Sequence, residues 1–222
     1  MVEFFHKHKS CWSQKSYRRS VFWGFLLLVA SLSLNSFADV YTTRRASNPV
    51  TDIILDNIPV YNVNFIFFEG FAVFWIFVIM LQIREPKGLP FVLKSVALFI
   101  IIRSIFISLT HLAIPPNHSH LHPARLYKRL TSQDDLFFSS HTGLPFLMSL
   151  IYWEDKRLRK IFLASTFFFG ATVLLGHLHY SIDVFSAFFI THGIFHIAKT
   201  FFAKDYSMHI AEEKLLAKKE IL

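Results

Sequence analysis

The residues best suited to chemistry in this chain are a histidine and an aspartate, His179 and Asp183, which lie four positions apart. On a helix, this spacing would place both side chains on one face. A carboxylate there can accept a hydrogen bond from one imidazole nitrogen and leave the other nitrogen as a nucleophile or a base. The alternative is an interfacial histidine followed by an aspartate that favours the positive end of a helix dipole. The spacing alone leaves both interpretations open.

A second candidate element is the sequence Ser-Ser-His-Thr at residues 139–142, which follows Asp134 and Asp135. Its hydroxyl groups could simply cap the first turn of a helix. The topology described below, however, brings His141 and His179 to the same side of a membrane. Two histidines and an aspartate at one interface can pass a proton and hold a covalent phosphate. We therefore predict that the His141, His179 and Asp183 side chains meet within about 4–8 Å.

Hydrophobic helices must position these residues, because the composition is typical of a membrane protein. Of 222 residues, 53% are hydrophobic and 17% are charged, whereas soluble domains carry about 25% charged residues. A transmembrane helix needs about 20 mostly apolar residues. Six segments meet this requirement: 21–38, 61–83, 89–114, 136–153, 161–178 and 180–202. We predict an all-α integral membrane fold, a six-transmembrane-helix bundle.

The positive charges predict how this bundle is oriented. With a cytoplasmic N-terminus, the inside segments carry 16 of the 23 Lys and Arg residues and the outside loops carry 5. The positive-inside rule then places both termini in the cytoplasm and both histidine motifs on the extracytoplasmic, periplasmic or luminal, side. The predicted organisation is a basic cytoplasmic tail at 1–20, a six-helix membrane catalytic domain at 21–205 and a charged cytoplasmic tail at 206–222. A cleaved signal peptide is the alternative for the first segment, although its basic stretch is long for one.

Several other classes of site are disfavoured by the same sequence. The net charge of +8 is a topology signal, so no nucleic-acid partner is predicted. The single cysteine excludes an internal disulfide. Alternating histidines at 118, 120 and 122 could bind zinc or copper, but no carboxylate or cysteine accompanies them, and we predict no metal and no other cofactor. His192 and His196 are predicted to be a buried, satisfied pair.

Among the charged residues inside the predicted spans, Glu69 and Arg103 stand out. A charge at the bilayer centre costs at least about 2.5–3.5 kcal/mol, so such residues are functional candidates by default. Arg103 is the first candidate for binding phosphate, because a guanidinium holds phosphate oxygens bidentately. Arg125 and Arg129 are the next candidates, with a solvated loop as their alternative.

Residues 139–142 and 176–184 resemble the motifs S-G-H-T and H-x-H-Y-[ST]-x-D-V of the sphingomyelin synthase family. That family lies within the wider type 2 phosphatidic acid phosphatase, or lipid phosphate phosphatase, superfamily. Phe188-Phe189-Ile190-Thr191 looks like the Y-Y-I-T-T sequence that follows in the family. Ser140 stands where the family has glycine. Val173 stands where the broad phosphatase pattern has arginine, which favours the sphingolipid-synthase branch.

Softer similarities extend this resemblance towards the N-terminus. Arg103 to Thr110, followed by Ile114-Pro115-Pro116, looks like the family's R-x6-T and V-P elements. The loop at residues 49–52, with Asp56 after it, resembles a P-x-P-D loop, and Glu69 matches an acidic residue in the second helix. The resemblance therefore runs in order from about residue 49 to residue 202.

The resemblance implies a membrane-embedded lipid phosphotransferase that needs no metal. Such an enzyme moves a phospho-headgroup from a glycerophospholipid to a lipid alcohol, ceramide or diacylglycerol. The resemblance also implies the role of each catalytic residue. His179 attacks phosphorus and becomes a phosphohistidine, and Asp183 supports its imidazole. His141 protonates the leaving oxygen and later deprotonates the acceptor. The remaining predicted site residues bind phosphate (Ser139, Ser140, Thr142, His177, Tyr180) or support the site (Glu69, Asp52, Asp135).

Two other functions stay open at the level of sequence. If water is the acceptor, the same site is a lipid phosphate phosphatase or a phospholipase C-type hydrolase. A small membrane transporter is the non-enzyme alternative, but transporters usually place polar groups near the membrane centre and show repeat symmetry. The predicted partners are a membrane phospholipid donor and a lipid alcohol acceptor, and homo-oligomerisation is left open.

Overall fold

The computed structural model describes residues 2–45, 47–119 and 137–219, and no strand occurs among them. The helices are α1 (Val2–Ser13), α2 (Lys15–Arg45), α3 (Phe71–Arg84), α4 (Leu89–Leu109), α5 (Ser140–Ile151), α6 (Lys156–Leu175), α7 (Ser181–Phe201) and α8 (Ala203–Lys219). A π turn at Ile66–Gly70 leads into α3, and short 3₁₀ turns occupy Leu55–Asn57 and Pro86–Gly88.

Five helical stretches in the described residues are long and apolar enough to cross a membrane: Lys15–Arg45, Ile66–Arg84, Pro86–Leu109, Lys156–Leu175 and Ser181–Phe201. They overlap five of the six predicted segments. The all-α fold and the multi-pass membrane character predicted from the sequence are therefore confirmed.

The fourth predicted span, residues 136–153, differs most from the structure. Residue 136 lies outside the described residues, and the helix that follows, α5, has only 12 residues. It begins at Ser140 because Phe138 has a φ of 28° and Ser139 is extended, so a helix cannot continue through them. At 1.5 Å per residue, α5 is about 18 Å long, which is shorter than a hydrocarbon core of about 30 Å. Its length alone does not qualify it as a span.

Although it is short, α5 forms the centre of the bundle, and 10 of its 12 residues are buried. A Cβ atom on Gly143 would lie 2.7 Å from the Phe99 ring and 2.9 Å from Thr191 Oγ1. Any larger residue would force the Phe99 ring of α4 and the Thr191 side chain of α7 to shift. On α6, a Cβ atom on Gly170 would come within 3.4 Å of Thr142 Oγ1. Two glycines therefore allow three helices to close around the first turn of α5.

The directions of the helices and the contacts between them define two ends of the bundle. At one end, which we call the histidine end because His141 and His179 lie there, α2, α4 and α6 finish and α3, α5 and α7 begin. Thr42 Oγ1 donates to the Ile107 carbonyl and joins α2 to α4 at this end. At the opposite end, the Tyr17 hydroxyl donates to the Pro86 carbonyl over 2.7 Å.

Both predicted terminal tails pack against the opposite end. The N-terminal stretch forms α1 and the start of α2, and Lys7 Nζ lies 2.7 Å from Glu85 Oε2. On α8, His209 is 4% exposed, and its Nε2 lies 2.9 Å from the Ile151 carbonyl oxygen. The terminal segments therefore extend the bundle at this end.

The predicted burial of His192 and His196 is wrong, because both side chains are exposed on α7. Their ring centroids are 4.6 Å apart. The helix buries Thr191, Ile194, Phe195 and Ala198 against its neighbours, and His192 and His196 lie on the opposite, exposed face.

Candidate active site

His179 and Asp183 meet at the beginning of α7. His179 Nδ1 lies 3.4 Å from Asp183 Oδ2, and the Asp183 side chain is completely buried. His179 precedes the helix, which begins at Ser181, so the predicted shared helix face is wrong. The capping turn makes the contact instead: Asp183 Oδ2 accepts the Tyr180 backbone amide over 3.0 Å, which holds the carboxylate back towards His179.

His141 occupies the first turn of α5 and is 9% exposed. Its ring lies between the Phe67 ring, 4.0 Å away, and the Phe71 ring, 4.1 Å away. His141 Nε2 lies 3.2 Å from the Phe67 carbonyl oxygen. Because a carbonyl oxygen only accepts, this contact assigns the proton to Nε2 and leaves the Nδ1 lone pair available in the neutral ring.

The two histidine motifs are held together by the backbone. The Ser139 amide donates to the Asp183 carbonyl over 3.0 Å and so joins the start of α5 to the first turn of α7. His141 interacts electrostatically with both His179 and Arg103. The fold therefore places the start of α5, which carries His141, beside the turn that carries His179 and Asp183, and it places Arg103 beside the residue before the Ser-Ser-His-Thr motif. The separation of about 4–8 Å between the three side chains stays a prediction.

Arg103 lies on α4 and is 4% exposed. Its Nε donates to the Phe138 carbonyl over 3.1 Å, immediately before the Ser-Ser-His-Thr motif. A buried cation at this position can stabilise negative charge near His141. The other predicted cations, Arg125 and Arg129, lie outside the described residues, as does Asp135.

A cluster of buried polar atoms, in the two histidine motifs and on α7, has no hydrogen-bond partners in the described part of the chain. Its members are Ser139 Oγ, Thr142 Oγ1, His177 Nε2, His179 Nδ1, Asp183 Oδ1 and Thr191 Oγ1. Buried polar groups are hydrogen-bonded in the large majority of cases, so such a cluster is unusual. Hydroxyl and imidazole groups of this kind can donate to the oxygens of a phosphate group.

The backbone is strained next to both motifs. Among the described residues other than glycine, positive φ angles occur at Phe138, with 28°, and at His177, with 51°. Such conformations cost about 1–3 kcal/mol each and persist only where the surrounding structure enforces them. One lies three residues before His141 and the other lies two residues before His179. This coincidence supports a functional role for the region between them.

The predicted phosphate ligand Tyr180 instead uses its hydroxyl to hold two loops. The hydroxyl donates to the Ala113 carbonyl over 2.9 Å and accepts the Val50 amide over 3.2 Å. His177 lines a cavity of about 400 Å³ beside the candidate site, together with Tyr180 and Asp52. Space for a polar group therefore adjoins the histidine motifs.

The two predicted acidic supports have different environments. Asp52 Oδ2 accepts the Ser181 amide over 2.6 Å, so this loop carboxylate caps the helix that carries Asp183. Burial alone would raise the pKa of Asp52, but amide hydrogen bonds from Ser181, Leu55 and Ile54 hold it below its usual value. Glu69 lies in the π turn before α3, and its side chain is exposed.

Replacing Asp52 with asparagine is expected to destabilise the histidine end by about 1–3 kcal/mol, because a charged acceptor is lost and an amide NH₂ group faces a backbone donor. The depressed pKa of Asp52 means that its contribution is present above about pH 4 and is lost as the pH falls through the folded-state value. Thermal unfolding in detergent from pH 7 to pH 3 measures this effect. Asp56→Asn is the matched control, because among the described residues the Asp56 side chain accepts one hydrogen bond, from the Asp52 amide. Equal melting temperatures for the two variants would contradict the capping role.

The aromatic environment of His141 was not predicted from the sequence. Phe67 and Phe71 are four residues apart and could share a helix face, but with 27 phenylalanines in the chain this signal is not specific. The Phe67 carbonyl could not be predicted as a partner, because the contact links residues 74 positions apart.

Within the described residues, no three His, Cys, Asp or Glu side chains are grouped to hold a metal ion. His120 and His122 lie outside the described residues.

Residues 134–200 match the family model described as PAP2 superfamily C-terminal. The match supports the type 2 phosphatidic acid phosphatase superfamily. It includes His141, His179 and Asp183 and begins after Arg103, so both histidine motifs lie in the matched part and the phosphate-binding candidate on α4 does not. No curated protein and no solved structure matches the chain significantly.

The PAP2 match indicates a phosphatase or phosphotransferase type of enzyme in general, acting in a membrane. It does not distinguish the sphingomyelin synthase-like branch from other branches of the superfamily.

Proposed function

We propose that this protein is a lipid phosphotransferase that moves a phospho-headgroup from a glycerophospholipid to ceramide or diacylglycerol. The observation that carries the proposal is the joining of His141, His179 and Asp183 by the Ser139–Asp183 backbone hydrogen bond at one end of an apolar bundle. The PAP2 match to the same residues supports phosphoryl chemistry on a lipid. The cavity beside His177 offers room for a polar headgroup.

The first half-reaction forms a bond from His179 to phosphorus. The Asp183 carboxylate faces Nδ1 of His179, so Nδ1 carries the proton and the Nε2 lone pair attacks. The bond from phosphorus to the diacylglycerol oxygen breaks, and His141, which enters this step protonated on both ring nitrogens, donates its Nδ1 proton to that oxygen. Diacylglycerol leaves, and the phospho-headgroup remains on His179. Arg103 stabilises the negative charge that develops on the phosphoryl oxygens.

The second half-reaction reverses these roles. His141, now neutral, takes the proton of the acceptor hydroxyl, whose oxygen attacks phosphorus. The bond between phosphorus and His179 breaks, and the nitrogen lone pair returns to the imidazole. A new phospholipid is released if the acceptor is a lipid alcohol. If water attacks instead, the phospho-headgroup is released as a water-soluble phosphate compound. The protein would then be a hydrolase, which is the second candidate function and is also compatible with the PAP2 match.

One assay separates these outcomes. The purified protein in detergent is incubated with a phospholipid labelled in its headgroup, with and without ceramide or diacylglycerol. We expect a labelled lipid product that appears only when the acceptor is present. Label released in water-soluble form under both conditions would identify a hydrolase. Label that remains on the donor under every condition would favour the transporter alternative.

We also propose six crossings, with the histidine end on the extracytoplasmic side. Contacts of α5 support this count. His141 at its start stacks on Phe67, and Tyr152 at its end accepts a hydrogen bond from Gln82. Phe67 and Gln82 lie near opposite ends of the span Ile66–Arg84, so the contacts of α5 extend along most of that span. The cation distribution supports the orientation. At the opposite end, the first five residues of α6 include four cations, Lys156, Arg157, Arg159 and Lys160.

Cysteine labelling tests this orientation. Ser119 is only 6% exposed, so a cysteine there would react poorly, whereas Asn57 at the histidine end is exposed. In a Cys11→Ser background, Asn57→Cys should react with an impermeant thiol reagent in intact cells. Lys156→Cys should react only after permeabilisation. The reverse pattern would overturn the orientation.

A further inference from the structure

A pocket of about 730 Å³ lies at the opposite end of the bundle, remote from the histidines. It is an open pocket bordered by the first turns of α2, the second turn of α4 and the junction of α7 with α8. Its lining includes Arg19, Ser20 and Trp23 of α2, Lys94 of α4 and Lys204 of α8. No part of the proposed phosphoryl chemistry uses this pocket.

One ion pair forms the fixed part of the pocket. Lys94 Nζ lies 2.6 Å from Asp205 Oδ2 and 2.7 Å from Ser20 Oγ, and Ser20 Oγ donates to Asp205 Oδ1 over 2.6 Å. The side chains of Lys94 and Asp205 are 14% and 10% exposed. A largely buried charge pair inside apolar helices is costly to build, which favours a role beyond packing.

Two further cations are available to a ligand. The Arg19 and Lys204 side chains are exposed and have no hydrogen bond or ion pair within the described residues. With Lys94 they give three positive charges against one negative charge on Asp205, so the lining carries a net charge of +2. A pocket of this charge selects an anion.

Aromatic residues at the rim indicate what kind of anion fits. Trp23 is 55% exposed and Phe201 is 72% exposed, and both line the pocket. Tryptophan is enriched at the level of lipid headgroups, where its ring is amphipathic. Basic pockets between transmembrane helices on the cytoplasmic side suit anionic lipid headgroups. The aromatic rim offers apolar contact for acyl chains, which a soluble anion would not use.

We propose that this pocket binds an anionic phospholipid of the leaflet at that end of the bundle. Arg19 and Lys204 hold the phosphate group, the Lys94–Asp205–Ser20 cluster contacts the polar headgroup, and Trp23 and Phe201 border the acyl chains. The inference does not depend on the proposed function, because no residue of the pocket belongs to the candidate active site.

The test uses full-length protein with His179→Ala, so that an added lipid is not turned over by the proposed chemistry. Its melting temperature is measured in a neutral detergent against increasing short-chain phosphatidylglycerol or phosphatidylcholine. We expect stabilisation by phosphatidylglycerol alone. The double change R19E/K204E should weaken the apparent affinity by about tenfold or more, since each cation contributes about 1 kcal/mol to binding of an anionic lipid. The matched change K156E/K160E reverses two exposed cations at the same end outside the pocket and should leave the affinity unchanged.

Glycerol phosphate and inorganic phosphate are added as separate arms. Stabilisation by either of them equal to that by the lipid would overturn the proposal in favour of a soluble anion. Equal stabilisation by phosphatidylcholine, unchanged affinity in R19E/K204E, or the same loss in K156E/K160E would also overturn it. If R19E/K204E does not fold, R19Q/K204Q removes the same charges with less perturbation, and unchanged affinity in that variant overturns the proposal equally.

Discussion

Replacing His179 with alanine is expected to abolish the formation of labelled product, with a loss of at least about 10³-fold in turnover. Removing one member of a catalytic group that acts as a unit typically costs orders of magnitude. The protein should also lose the acid-labile phosphorus that a phosphohistidine retains after rapid denaturation. Product formation by quantitative lipid chromatography and retained label on the protein measure the two effects separately.

His192→Ala is the control for this change. His192 is also on the last span but is exposed, outside the cluster of buried polar atoms. Its replacement should leave activity and labelling at the wild-type level. If His179→Ala kept normal labelling while the control behaved as expected, the covalent route through His179 would be excluded, although the protein could still be a lipid phosphatase that works another way.

Replacing His141 is expected to have an effect that depends on the leaving group. With a natural phospholipid, loss of the proton donor should lower turnover by about 10²–10⁴-fold. With a nitrophenyl phosphodiester, whose leaving group needs no protonation, the first step should remain within about tenfold of wild type. The release of nitrophenol in a single turnover measures that step directly.

The fold must be preserved for this comparison, because the His141 ring fills the space between two phenylalanine rings. His141→Gln keeps more of that volume than His141→Ala, and both should show the same dependence on the leaving group. If His141 variants lose the activated ester and His179→Ala retains it, the roles of the two histidines are reversed. Equal losses on both substrates in a folded variant would assign His141 a positioning role.

The sequence was sufficient to predict features that depend on a short stretch of the chain or on the type of a single residue. Apolar segments of membrane length predict spanning helices wherever they occur, and five of the six predicted segments overlap long apolar helices. The types of residue that can do phosphoryl chemistry are few, so His141, His179 and Asp183 could be selected by their chemistry and by the side of the bundle on which they fall.

Local signals misled where a turn or a helix face decided the outcome. The segment at 136–153 has the hydropathy of a span, but the positive φ angle of Phe138 prevents a helix there, so α5 begins only at Ser140 and is shorter than predicted. His192 and His196 have the spacing of a helical pair, but spacing does not say which face of α7 the other helices cover.

Tertiary structure alone decided how the candidate site is assembled. Asp183 reaches His179 through a capping turn, the Phe67 carbonyl fixes a ring nitrogen of His141, and Asp52 caps α7 from 129 positions away. Hydropathy and residue spacing along the chain report burial and helical periodicity, which are short-range properties. Hydrogen bonds between distant residues depend on how the packed helices place their ends, and no local pattern in the sequence encodes that placement. The sequence therefore determined which residues can act, and the packing of α5 against its neighbours determined that they meet.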